Sequence, residues 1–445
     1  MVSREFDCSI SGSRILLRAF KPRFPLELPL QTPQWLLQNE RRVLLLILSL
    51  GCLVQIIVTL FTNGGGDLQH AYVPTVTSIL HGQNPYMSGQ PWNTGYPPFF
   101  FLLLGGVALL GSLGGSMTLA TVSWSLRIGL VIGHVALGGL AYLTLRRMKI
   151  DILARLAVPA LIVLLPSFYQ MGEVWFHADV FGLVLLVGAV YLLCAERWIT
   201  GSLLLSLSAA FKIHPILALP LVAIWLFRKG RLSLTILGAL FLPFLSLTVV
   251  PLQNLPGYYG SFVQQNISVR PSWSFSPFIL AYKVLPSLSN IEFSTLLVNQ
   301  IWILLTIALF SFVLGFAWRN PNSLQAADIV CLGVAVWLIP LRQLFHYYAF
   351  WAIIPFMLRG NLKQMTLALL PFEAACDLAV YAWTVRPDWV LSQQSTGLLL
   401  SMLDMILLVA SIAACVFLVL RTSILEQRII EAPIDRLEVL APVPS

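Results

Sequence analysis

Along this chain, apolar runs long enough to cross a bilayer alternate with short polar or basic breaks. They fall at roughly 43–61, 97–113, 120–145, 152–166, 177–195, 201–227, 232–250, 297–317, 326–341, 345–358, 364–384 and 398–420. A hydrocarbon core of about 30 Å asks for about 20 apolar residues in a helix. Inside it every backbone donor must be satisfied by helix or closed barrel, and runs of this length select helices. The residues are 58% hydrophobic and 10% charged, too little charge to cover a soluble domain. The expected fold class is therefore all-α, a polytopic membrane protein.

Basic residues set the expected sides, because Lys and Arg mark cytoplasmic loops. Arg41 and Arg42 put the start of the first run inside, so Asp67 falls outside. Arg146, Arg147 and Lys149, then Arg228, Lys229 and Arg231, Arg319, Arg359 and Lys363, and Arg421 all fall inside. The formal net charge of +8 thus reads as basic inner loops, with no nucleic-acid partner. The parity holds if 97–113 dips in without crossing, as a poor helix rich in glycine. It also needs 201–227 to break near Lys212-Ile213-His214-Pro215, where proline removes a backbone donor. The expectation is about 12 transmembrane helices with both termini inside. Residues 1–42 and 426–445 read as cytosolic tails around a membrane domain at 43–425. The polar, basic start predicts no cleavable leader. Six scattered cysteines without CxxC spacing read as small core residues. Trp124, Trp225 and Trp337 read as packing.

The outer side then collects the unusual residues. "TNGGGDLQHAY" leaves the first run through three glycines, which let a backbone approach a ligand closely, and presents Asp67, Gln69 and His70 within one turn. Residues 74–80 carry helical spacing suited to a short surface helix ended by Gly82. A turn, "HGQNPY", follows, and "TGYPPFFFLLL" re-enters the apolar layer at Tyr96.

The order of first span, Asp, surface helix, "NPY" turn and "YPP" re-entry, with "AAFKIHPILALP" further on, resembles the C-type (GT-C) membrane glycosyltransferases. These take sugars from polyprenyl-phosphate donors. Within them the chain looks most like the mannosyltransferase-type branch that makes phosphatidylinositol mannosides. The resemblance covers about residues 43–230, with support around 342–351. It implies a GT-C-like fold and an integral-membrane hexosyltransferase moving a sugar such as mannose, with inversion, to a lipid or glycan hydroxyl on the non-cytoplasmic side. It implies Asp67 as the general base, taking the acceptor proton. It also implies a histidine at 346 that helps hold the donor phosphate or the acceptor.

The departing phosphate needs cationic partners. Lys212 and His214, at the helix break, and Arg342 and His346, four residues apart in "RQLFHYY", are the donor-phosphate candidates. Tyr347 stands beside them. "MGEVWFHADVFG" adds Glu173, His177 and Asp179. Related enzymes carry Gly-Gln-hydrophobic-Asn there, so this departure leaves Glu173 and Asp179 as rivals for the base. Gln69, His70, Tyr96 and Arg270, the last in the outer loop 251–296 with Tyr258 and Tyr259, complete the substrate-binding candidates. No resident cofactor is expected, although a divalent ion at Asp67 with Glu173 or Asp179 stays open. The expected partners are the polyprenyl-phosphate sugar, the acceptor and membrane lipid. The expected site is a prokaryotic plasma membrane.

Two other classes explain part of this. A secondary transporter or lipid-linked-sugar flippase would use the break at 212–215 as its site, yet transporters pair broken helices in two related halves, and no second "FKIHP" is present. An acyltransferase or polymer ligase would expose charged outer loops but accounts less well for the early Asp–helix–YPP order.

Overall fold

In the computed structural model the described residues are 33–62, 64–65, 68–86, 96–112, 115–169, 177–255, 257–260, 291–341, 344, 346–385 and 395–431, with side chains at 291–299, 380–402 and 428–431 excepted. Their regular structure is all helical, without a strand among them. The chain divides into two units, Met1–Glu40 and Arg41–Ser445. In the first, only residues 33–40 are described, a helical start in which Asn39 bonds the Trp35 carbonyl at 2.8 Å.

The helices are α1 (Gln34–Phe61), α2 (Val73–Leu80), α3 (Pro98–Ser112), α4 (Leu119–Arg147), α5 (Ile152–Leu164), the short α6 (Pro166–Tyr169), α7 (Asp179–Cys194), α8 (Trp198–Phe211), α9 (Ala218–Arg228), α10 (Leu234–Phe244), α11 (Val250–Asn254), α12 (Ile291–Arg319), α13 (Ala326–Leu338), α14 (His346–Met357), α15 (Leu362–Val385) and α16 (Ser395–Glu431). A π turn at Leu68–Tyr72 leads into α2, a 3₁₀ turn at His214–Leu217 into α9, and a second π turn at Leu245–Val249 joins α10 to α11. α1 begins within the expected 1–42 tail, and α16 runs into the expected 426–445 tail.

Among the described residues five helical stretches are long and apolar enough to cross a membrane: Gln34–Phe61, Leu119–Arg147, Leu234–Asn254, Gln300–Arg319 and Leu403–Gln427. On α12, Leu304, Ile307 and Phe312 are exposed, as a lipid-facing side would be. Others are shorter. The 16 residues of α7 reach about 24 Å at 1.5 Å per residue, less than a hydrocarbon core.

Helix ends follow their local chemistry. Thr118 caps α4 by accepting from Thr121 N at 3.2 Å, and Asp151 caps α5 by accepting from Leu153 N at 2.9 Å. The turns after α4, α9 and α14 pass through left-handed residues, Lys149, Gly230 and Gly360. These basic turns share one end of the molecule. A Cβ on Gly360 would strike Ile150, Arg228 Nε donates to the Trp318 carbonyl at 3.1 Å, and Arg359 pairs with Asp328.

The break at Lys212 is present. α8 stops at Phe211, Lys212 is extended (φ −150°, ψ 132°), and the 3₁₀ turn starts at His214. The glycine-rich 97–113 stretch differs from expectation, because it is one continuous helix, α3. Its glycines serve tight helix packing: a Cβ on Gly111 would meet Ser125 of α4 at 2.5 Å, and Val107 occupies the space against Gly129. Small residues that let backbones approach here outweigh the propensity cost. Trp124 also differs. It is 44% exposed, with Arg127 over its ring at 4.7 Å, whereas Trp225 is buried as expected.

Candidate functional site

At the end of α7 away from the basic turns, the helix begins with Asp179, whose side chain is buried. Both oxygens receive Lys212 Nζ, at 2.9 and 2.8 Å, and Oδ1 also accepts from Trp351 Nε1 at 2.5 Å. A buried ion is tolerable only when paired and bonded, and two segments, the break at Lys212 and α14, supply those bonds. Lys212 can reach Asp179 because α8 breaks there and turns the side chain inward. Its exposure is 4%, so it does not snorkel.

Aromatic rings enclose the ammonium. Tyr348, Tyr347 and Tyr96 have their centroids 4.6, 4.9 and 5.5 Å from Nζ, within cation–π range. His177 stacks on Tyr347 at 3.5 Å. His214 lies against Tyr348 at 4.2 Å and Trp351 at 5.7 Å. Among the described residues neither ring nitrogen of His214 has a hydrogen-bond partner, although the residue is buried. His346, the first residue of α14, bonds through Nε2 to Asp404 Oδ1 of α16 at 2.7 Å.

Tyr96 ties this cluster to the chain that follows the first span. Its hydroxyl meets that of Tyr72 at 3.1 Å, its carbonyl accepts from Tyr86 OH at 2.8 Å, and its ring stacks on Phe100 at 4.2 Å. Asn84 Oδ1 accepts from Tyr86 N at 3.0 Å, the local turn that "NPY" favours. Tyr86 packs on Tyr258 at 5.1 Å, which joins the chain just after α11 to the same wall. Burial, with Tyr258 beside it, raises the Tyr86 phenol well above its ordinary range, so it remains an O–H donor.

Seven expected residues therefore meet: Tyr96, His177, Asp179, Lys212, His214, His346 and Tyr347. Gln69 and His70 lie in the π turn and are exposed. Asp67, Glu173, Arg270 and Arg342 lie outside the described residues. α14 begins at His346 and Leu344 is not helical; the helical relation expected between Arg342 and His346 falls on residues outside the described ones. α7 starts two residues after His177, and the relation of His177 to Glu173 likewise falls outside the described residues.

Three residues went unnoticed in the sequence. Asp404 is one acid inside "LLLSMLDMILLV", and its position in an apolar run was signal enough, since intramembrane carboxylates are functional by default. Trp351 and Tyr348 carried no signal apart from their nearness to His346. Arg127, buried in α4, is a further absence from the sequence reading. It donates to the carbonyls of Thr59 and Thr62, and lies 3.3 Å from Thr62 Oγ1. A cation there suits the negative end of α1, and it fixes the chain just before Gly64 and Gly65, both left-handed (φ 73° and 67°).

Among the described residues no three His, Cys, Asp or Glu side chains are close enough to hold a metal ion. No family model matches the sequence, and no curated protein is significantly similar to it.

Proposed function

We propose that the chain is an integral-membrane glycosyltransferase that moves a hexose such as mannose from a polyprenyl phosphate to a lipid or glycan hydroxyl. The supporting observation is convergence. Segments far apart in sequence, "YPP", "WFHAD", "FKIHP" and "FHYY", bring Tyr96, His177, Asp179, Lys212, His214, His346 and Tyr347 to one buried cluster. The resemblance rested on "YPP" and "FKIHP", with support around 342–351, while "WFHAD" lies where the chain departs from it. In this reading the chain crosses the membrane about 12 times, and the cluster faces the non-cytoplasmic side of a prokaryotic plasma membrane.

Asp67 is the general base. It removes the acceptor proton as the oxygen attacks the anomeric carbon from the face opposite the phosphate, inverting that centre. The C–O bond to phosphate breaks, and its electrons leave with the phosphate. Lys212, His214, His346 and Arg342 hold that group, where a fixed positive environment is worth most as charge develops. Asp179 keeps Lys212 in place. Its oxygens already accept three contacts, which favours a positioning role over that of base.

Purified protein incubated with a panel of polyprenyl-phosphate sugars is expected to release polyprenyl phosphate from one of them. No release from any donor would overturn the reading. Asp67→Asn is expected to lower single-turnover transfer by roughly 10²–10⁴ with donor affinity nearly intact. Near-normal transfer by that variant would move the base to Glu173.

A further inference from the structure

We propose that Asp404 is a positioning residue of this site: through Nε2 it fixes the tautomer and orientation of the His346 ring, and so sets how this histidine meets the donor phosphate. The identity of the ligand rests on the function proposed above, whereas the hold on His346 does not.

Asp404 lies in the span Leu403–Gln427 and is 2% exposed. A carboxylate so placed is costly in an apolar layer unless it is used or fully bonded. One oxygen is 2.7 Å from His346 Nε2, the length of a charge-assisted bond. The other, Oδ2, is buried and has no hydrogen-bond partner among the described residues. A helix tether would be served as well by an apolar contact, and α14 and α16 already make many of those.

With Asp404 as a carboxylate, which only accepts, the hydrogen of this bond sits on Nε2. A histidine whose one nitrogen is held in this way has its tautomer and ring plane set by that bond. The ring stands where α14 begins, next to Tyr347, which faces both His177 and Lys212. A small rotation of His346 would therefore be felt across the cluster. An asparagine at 404 would fill the same space, but its amide can either accept from Nε2 or donate to it, and the tautomer would no longer be imposed.

The test uses full-length protein in detergent, with and without polyprenyl-phosphate mannose. Histidine-¹⁵N spectra report which ring nitrogen carries hydrogen. The chain has six histidines, so the signal missing from His346→Gln assigns the residue. Asp404→Asn is expected to leave both tautomers of His346 populated in place of one and to lower kcat about 10–100-fold, the range for lost orienting partners. Donor KM should stay within about threefold, because the loss falls on the developing charge. Asp404→Glu should recover most of kcat. An unchanged tautomer in Asp404→Asn would overturn the proposal, as would equal loss of kcat in the Asn and Glu variants. If the wild type releases no phosphate from this donor or any other, the glycosyltransferase reading fails, and the tautomer measurement still decides the role of Asp404.

Discussion

Asp179–Lys212 and Asp328–Arg359 are both buried ion pairs at the start of a helix, at opposite ends of the molecule, and they are built differently. Asp328 is the third residue of α13. Its Oδ2 accepts from Gln325 N at 3.0 Å, the Gln325 side chain completes a capping box, and Oδ1 takes Arg359 Nη1 at 2.7 Å. Sequence neighbours and one arginine satisfy it. Asp179 makes its side-chain bonds with distant segments, at 33 and 172 residues' separation. Around it stand His214, neither of whose ring nitrogens has a hydrogen-bond partner among the described residues, and Asp404, whose Oδ2 has none. A pair that serves the fold is completed by its surroundings. In the proposed function, the pair that serves the ligand is the one surrounded by bonding capacity the protein does not itself use.

The largest effect is expected at Lys212. Lys212→Met leaves Asp179 as a buried, unpaired carboxylate, and breaking such a pair costs about 3–5 kcal/mol. Transfer should also fall more than about 100-fold, the scale for loss of one preorganised charge-stabilising group. The double variant Lys212→Met with Asp179→Leu should recover most of the stability, since an apolar replacement of a buried pair is often neutral, yet transfer should stay lost. Thermal unfolding in detergent beside single-turnover transfer separates the two effects. Recovery of transfer by the double variant would make this pair structural and erase the contrast.

Arg359→Met is the matching change at the other end and should be milder. Asp328 keeps its backbone donor from Gln325, so the loss is near that of one charged hydrogen bond, about 1.5–3 kcal/mol. Transfer per folded molecule should stay within about twofold of wild type. A tenfold drop in that quantity would show that the basic end reaches the site.

How far the sequence foretold these two ends follows from the range of the forces involved. The break at Lys212–Pro215, the stop of α2 at Gly82 (φ 75°) and the turn at Asn84 depend on residues within a few positions of each other, and they were legible. So was the gathering of unusual polar residues, because a lysine or histidine inside an apolar run needs a reason wherever it folds. The partners were not legible. Asp404 meets His346 across 58 residues, and Trp351 meets Asp179 across 172; only tertiary packing decides such contacts. The same limit explains α3. Its glycines argue against a helix locally, but the close approach of α4 at Gly111 and Gly129 uses them to build one.

The smallest effect is expected from Asp328→Asn, which asks whether the charge at the basic end matters beyond its shape. The asparagine oxygen can still accept from Gln325 N, so the cap survives. Lost are the full charge beside the positive end of α13, worth about 0.3–1 kcal/mol, and the charged part of the bond to Arg359, about 1 kcal/mol more. Against this, a neutral side chain needs less desolvation in a site where Asp328 is 2% exposed. The balance is a loss of about 1 kcal/mol, read as a small drop in unfolding temperature. Transfer per folded molecule should not change, and Arg359→Met with Asp328→Asn should cost less than the two single losses added together, because the residues share one bond. Strict additivity would mean that Arg359 and Asp328 act separately, and the basic-end pair could then no longer stand as the self-satisfied counterpart of Asp179–Lys212.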